Sequence, residues 1–194
     1  MPTFKNTLEI DHQPKGIPYF GNGEVREDGD ANYGFKYVKG DDQLLEKIPE
    51  LSRDKNLMNL ARAINGPETG LFSVGCVSAP VEDASGFRRS GYIEFSINSI
   101  AGVSDATNYF AIFFHFDRML HKSGFSEVVS YFWELQPCTF RERGTTGFTC
   151  SVILNTHYSR TRPEADIAWS KSLGVLATFL QSVPPQGSDF IYPQ

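Results

Sequence analysis

The run YFAIFFHFDRMLHK, residues 109–122, places two histidines, an aspartate and an arginine inside the most apolar stretch of a 194-residue chain. Read as a helix, it sorts its own chemistry. His115 and His121 stand about 240° apart around the axis, so one helix cannot offer both to a single metal ion. Asp117 and His121 are four residues apart and can touch. A carboxylate that orients an imidazole is the arrangement of a general base. The same pair is also an ordinary ion pair on a helix flank, with His121 favoured at the C-terminal end by the dipole. The second description is the economical one, and it moves the search for a site elsewhere.

Alternate residues of two expected β-hairpins define a sheet face that carries more varied chemistry. It presents Tyr92, Glu94, Ser96 and Asn98, then Ser130, Phe132, Glu134 and Gln136, then Ser151, Ile153, Asn155 and His157. With residues 144–147 (GTTG) as the loop of the second hairpin, Glu134 falls opposite His157 and Gln136 opposite Asn155. A bulge at Pro137, where the apolar phase changes between residues 135 and 138, would set Glu134 against Asn155 instead. Either register makes His157 a candidate base, with Glu134 as its orienter or as an acid. Cys138 is a candidate nucleophile served by His157. The competing description is a solvated face with ordinary cross-strand polar pairs. As a binding surface, the same face would use Glu94, Asn98, Phe132, Glu134, Asn155 and His157. An acidic loop, EVREDGD at 24–30, adds Glu27, Asp28 and Asp30, whose spacing fails the calcium-loop pattern and suits a basic partner better than a metal.

Motifs for cofactors and metals are missing. GNG at 21–23 lacks the third glycine of a dinucleotide loop, and no GxxxxGK[ST], GxSxG or HExxH occurs. Neither a cofactor nor a metal site is expected. Two basic clusters, Arg88-Arg89 after Phe87 and Arg141, Arg143, Arg160 and Arg162, have Glu142 and Glu164 nearby, and read as local salt bridges.

The elements that must hold these residues follow from periodicity. Leu44, Leu45 and Ile48, then Leu57, Leu60, Ala61 and Ile64, have helical spacing broken at Pro49 and stopped by Gly66-Pro67. Residues 105–123 form a helix with Ser104 or Asp105 at its N-cap and Gly124 as its C′ glycine. A last helix has Pro163 in its first turn and a stripe of Trp169, Leu173, Leu176, Leu180 and Val183. Segments 71–81 and 90–98 alternate around a turn, as do 127–140 and 147–159. A gapless shift of 57 residues lays Phe72, Val74 and Cys76 on Val129, Tyr131 and Trp133, and Ile112, Phe116 and Met119 on Trp169, Leu173 and Leu176. The expectation is an α+β fold of order α-β-β-α-β-β-α, with an antiparallel sheet of about four strands, helices on one face and a repeated ββα unit. Residues 1–40 are expected to be an irregular segment packed on the domain. Residues 41–183 form the single domain, with units 70–123 and 127–183, and 184–194 an extended tail.

Hydrophobic residues make up 40% and aromatics 13% of the chain, so most of it must fold. A net charge of −5 and a pI near 5.4 disfavour a nucleic-acid partner. Three cysteines without a CxxC pair, no apolar leader, and a longest apolar run of YFAIFF predict a cytoplasmic protein with no membrane partner. The first expectation is a non-enzymatic protein that binds another, basic protein, such as an inhibitor or immunity-type protein masking a toxin or nuclease. The alternative is a small-molecule binder or hydrolase centred on Glu134 and His157. A homo-oligomer is compatible with either.

Overall fold

The computed structural model describes residues 3–21 and 33–193. Within them the order is β1 (Lys5–Ile10), β2 (Lys15–Ile17), α1 (Asp42–Leu45), α2 (Pro49–Arg53), α3 (Lys55–Asn65), β3 (Leu71–Asp83), β4 (Gly86–Ile97), α4 (Ile100–Ser104), α5 (Ala106–Ser123), β5 (Val129–Phe140), β6 (Thr145–Thr156) and α6 (Arg162–Gln181). The fold is α+β, but its sheet is mixed and has six strands. The strand order is β1-β5-β6-β4-β3, with β2 continuing the β1 edge of β5. The hairpins are antiparallel, whereas β1 and β2 pair with β5 in parallel. The segment expected to be irregular thus supplies two strands. Its KNTLEI is short and only loosely alternating, and what makes it a strand is the edge of β5.

The helices form where caps and stripes place them. Asp54 caps α3 and Asp105 caps α5, which ends at Gly124 in the left-handed conformation with φ 67°. Thr161 and Glu164 form a reciprocal capping box at the start of α6. The main core lies between these helices and one sheet face. Trp133, Tyr131, Phe95, Val152 and Leu154 from the strands meet Leu60 and Ile64 of α3, Phe116 of α5, and Trp169 and Leu176 of α6.

The two ββα units match as the shift requires, with β5 and α6 at the positions of β3 and α5 advanced by 57. β6 is displaced by two more residues, because its hairpin turns through residues 141–144 whereas β3 and β4 turn through 84–85. Ile93 and Val152, equivalent in the two units, face each other across β4 and β6. The units are therefore related by an approximate two-fold axis through that pair. Past Phe95 and Cys150 the central strands separate. The Tyr109 hydroxyl fills the gap, donating to the Phe148 carbonyl at 2.7 Å and accepting from the Ile97 amide at 3.1 Å.

The phase change in β5 has a different cause from the expected bulge. The β5–β6 register is continuous, and the one register shift in these hairpins falls between Ser73 and Gly75 of β3. From Cys138 onward it is the other sheet face that is buried. There a second, smaller core gathers Phe72, Val74, Cys138 and Phe140 with Ile17 and with Ile191 and Tyr192 of the tail. Pro137 marks the switch. It has no N–H to offer the Asp11 carbonyl, and β1 pairing stops there before resuming at β2.

Candidate functional site

The long helices α3, α5 and α6 leave one sheet face uncovered, and the chain's own ends, with Val103 of α4, cover half of it. Residues 15–20 cross this face from the β5 edge, with Lys15 paired to Glu94 on β4 and the Tyr19 hydroxyl donating to the Val74 carbonyl on β3 at 3.2 Å. The tail closes in from the other side. Asn98 holds Tyr192 by two hydrogen bonds of 3.0 Å, one to its carbonyl and one from its amide, and Arg143 donates to the Ile191 carbonyl at 2.7 Å. The remaining half of the face is the candidate site.

Cross-strand registers lay its side chains in rows. One row runs Thr7, Phe132, Ile153, Tyr92 and Val77 across β1, β5, β6, β4 and β3. Every member is partly exposed. Beside it lies the polar row Glu9, Glu134, Ser151 and Glu94. On the other side come Lys5, Ser130, Asn155 and Ser90, with the Ser90 hydroxyl donating to Asn155 Oδ1 at 2.8 Å and the Arg88 guanidinium at 3.2 Å. Where the crossing segment meets β3 and the start of α2, a cavity of about 410 Å³ opens, lined by Lys15, Tyr19, Tyr33, Glu50, Tyr92 and Glu94 among others. Burial pushes the Tyr19 hydroxyl well above its ordinary range, with the nearby Glu94 charge adding to the effect.

The expected residues separate on this frame. Phe132, Glu134 and Asn155 lie on the uncovered half of the face. Glu94 shares it but is buried in its ion pair with Lys15. Asn98 is buried, and its amide is spent on Tyr192. The Glu134–His157 pairing is overturned. Because the turn is at 141–144 rather than 144–147, Glu134 faces Ser151, and His157 lies six residues further along, roughly 20 Å away at strand rise. His157 is exposed beyond the end of β6, with its amide bonded to the Val128 carbonyl at 3.0 Å. Cys138 pairs with Gly147, ten residues from His157, and burial pushes its thiol up to about 12, the reverse of what activates a nucleophile. Glu27, Asp28 and Asp30 lie outside the described residues. Asp117 and His121 do meet, at 3.5 Å on the exposed flank of α5, where Asp117 also accepts from Asn6.

The sequence reading missed Lys15 and Tyr19. Lys15 reaches a carboxylate 79 residues away, and no local pattern signals such a contact. Among the described residues no group of three or more His, Cys, Asp or Glu is gathered to hold a metal ion, and no helix is long and apolar enough to cross a membrane. Comparison with protein-family models, curated proteins and solved structures returned no match.

Proposed function

We propose that the protein binds another protein through the uncovered half of its sheet face. One observation carries the reading: Phe132, Ile153 and Tyr92 stand side by side on three adjacent strands, half-exposed, on the side away from the helices. Aromatic and aliphatic side chains grouped in this way are what a partner's anchor residues dock against. Glu134 and Glu9 in the next row, and the chain's net charge of −5, favour a basic partner. An inhibitor that masks a basic enzyme is the concrete form.

The test uses the full chain and a variant carrying Phe132→Asp and Glu134→Lys. Proteins retained from an extract of the source cells are identified by mass and then titrated calorimetrically. The expected result is a basic partner whose affinity falls at least tenfold in the variant, about 1.4 kcal/mol. Equal retention and equal affinity would overturn the reading.

A second reading rests on the cavity. Its volume lies within the range of small-ligand sites, roughly 300–1,000 Å³, and tyrosines with two carboxylates and Lys15 line it. A thermal-shift panel of small organic molecules should then raise the melting temperature of the native protein and not that of Tyr92→Ala. A panel without any such member would sink this reading.

A further inference from the structure

The two outer edges of the sheet are treated differently. The edge of β3 is sealed. Lys39 donates to the Leu71 carbonyl at 2.8 Å, and Asn65 exchanges hydrogen bonds with the Ser73 amide and hydroxyl. Beyond Ser78, the strand carries Pro80, Glu82 and Asp83, residues that discourage edge pairing. Among the described residues the edge of β1 has no such seal. In a parallel ladder, alternate residues turn both backbone groups to one side. The Asp11 amide donates to the Leu135 carbonyl at 2.9 Å, so Glu9, Thr7 and Lys5, in phase with it, face β5. The backbone groups of Asn6, Leu8 and Ile10 face outward, and among the described residues none of them has a backbone partner there.

We infer that β1 pairs with β1 of a second copy of this chain, antiparallel about a two-fold axis at Thr7. Two features of the strand select this partner and register. First, only residues whose backbone groups face outward can form the hydrogen-bonded pairs, and an axis at Thr7 sets Asn6 opposite Leu8 twice. Second, the same register sets Lys5 of each copy opposite Glu9 of the other, in the closer, non-hydrogen-bonded pairs. Both side chains are exposed and lie on the uncovered face. Moving the axis by one residue, to Leu8, would set Lys5 opposite Asp11 instead, whose carboxylate already accepts from the Gln13 amide and from Gln136. Exposed apolar surface borders the edge as well. Ile10 is 42% exposed. Phe114, 64% exposed, stands on the α5 flank that Asp117 ties to Asn6 and His121 ties to Phe4. The product is a continuous sheet of two copies with the helix layers side by side.

Sedimentation of the full chain across the micromolar range tests the pairing. Lys5→Glu and Glu9→Lys should each weaken dimerisation at least tenfold, and the double swap should restore it, because the charges again oppose. In a Cys76→Ser background, Thr7→Cys should oxidise to a covalent dimer, since the two Thr7 side chains meet at the axis, whereas Ser126→Cys, an exposed control, should not. A monomer at every concentration would overturn the inference. A dimer indifferent to both single charge changes, or Thr7→Cys cross-linking no faster than the control, would do so too.

Discussion

Asp54 ties four elements of the molecule together. It caps α3 through the Asn56 and Leu57 amides, and it accepts hydrogen bonds from Ser78 on β3, Arg89 on β4 and Trp169 on α6, each at 2.7 Å. Burial pushes its carboxyl up. The hydrogen bonds from Ser78, Leu57 and Trp169 and the charge of Arg89 outweigh that and hold it below the usual carboxylate range. A native pKa below the unfolded one means stability that is present above about pH 4 and lost as pH falls through the native value. The urea midpoint of the native protein should drop over this acid range, and that of Asp54→Asn should drop less. Asp54→Ala, which leaves Arg89 only its 3.7 Å contact with Asp166 and strands the Trp169 N–H, should cost about 3–5 kcal/mol at neutral pH by the same measurement. The cysteines allow a second check. Cys76 is half-buried, whereas Cys138 and Cys150 are buried, with burial raising both thiols. A thiol reagent at pH 8 should label Cys76 first and reach the other two only on unfolding.

Among the elements, the hairpin β3–β4 and helix α6 respond to the same substitution in opposite ways. A Cβ at Gly91 would stand 2.4 Å from the Val77 carbonyl oxygen, a backbone atom that cannot yield without parting the strands. Gly91→Ala should destabilise the fold by roughly 1–3 kcal/mol. At Gly174, on the exposed side of α6, the added methyl meets nothing within 4 Å. Gly174→Ala should therefore stabilise by about 0.5–1 kcal/mol through helix propensity. Denaturant titration of the two variants measures both effects. The longer helices were legible in the chain, whereas the short α4 was not. The 3.6-residue stripe, Asp105 and Gly124 bound α5, and Pro163 starts α6, because each signal lies within one turn of the residues it acts on. The turn of the second hairpin was not legible. RERG and GTTG are both acceptable four-residue turns, and only the burial of both faces of β5 near its end decides for RERG.

For the whole molecule, the second core is the feature on which the candidate site depends. Ile191 and Tyr192 are buried on the sheet face opposite the helices and pack with Phe72, Phe140 and Ile17. Removing residues 189–194 would uncover that surface and release Asn98 and Arg143. The loss of two buried side chains should lower stability by roughly 3–6 kcal/mol. The melting curve of the truncated chain should shift down accordingly, and its sheet should bind more of an apolar dye. This truncation should also erase the boundary between the covered and uncovered halves of the face.

The chain by itself determined its longer helices, its two hairpins, and the helix-facing side of the central strands β4, β5 as far as Leu135, and β6. Those follow from the spacing of apolar residues and from caps, all short-range. Phe132, Glu134 and Asn155 were placed on the uncovered face by alternation alone. Only the tertiary structure decided the parallel addition of β1 and β2, the Glu134–Ser151 register, and the Lys15–Glu94 pair beneath the crossing segment. These join residues far apart in the chain, and their energies come from burying surfaces that exist only once the sheet has formed. The separation of His157 from Glu134 has the same origin: a turn placed three residues earlier moves every cross-strand partner by six.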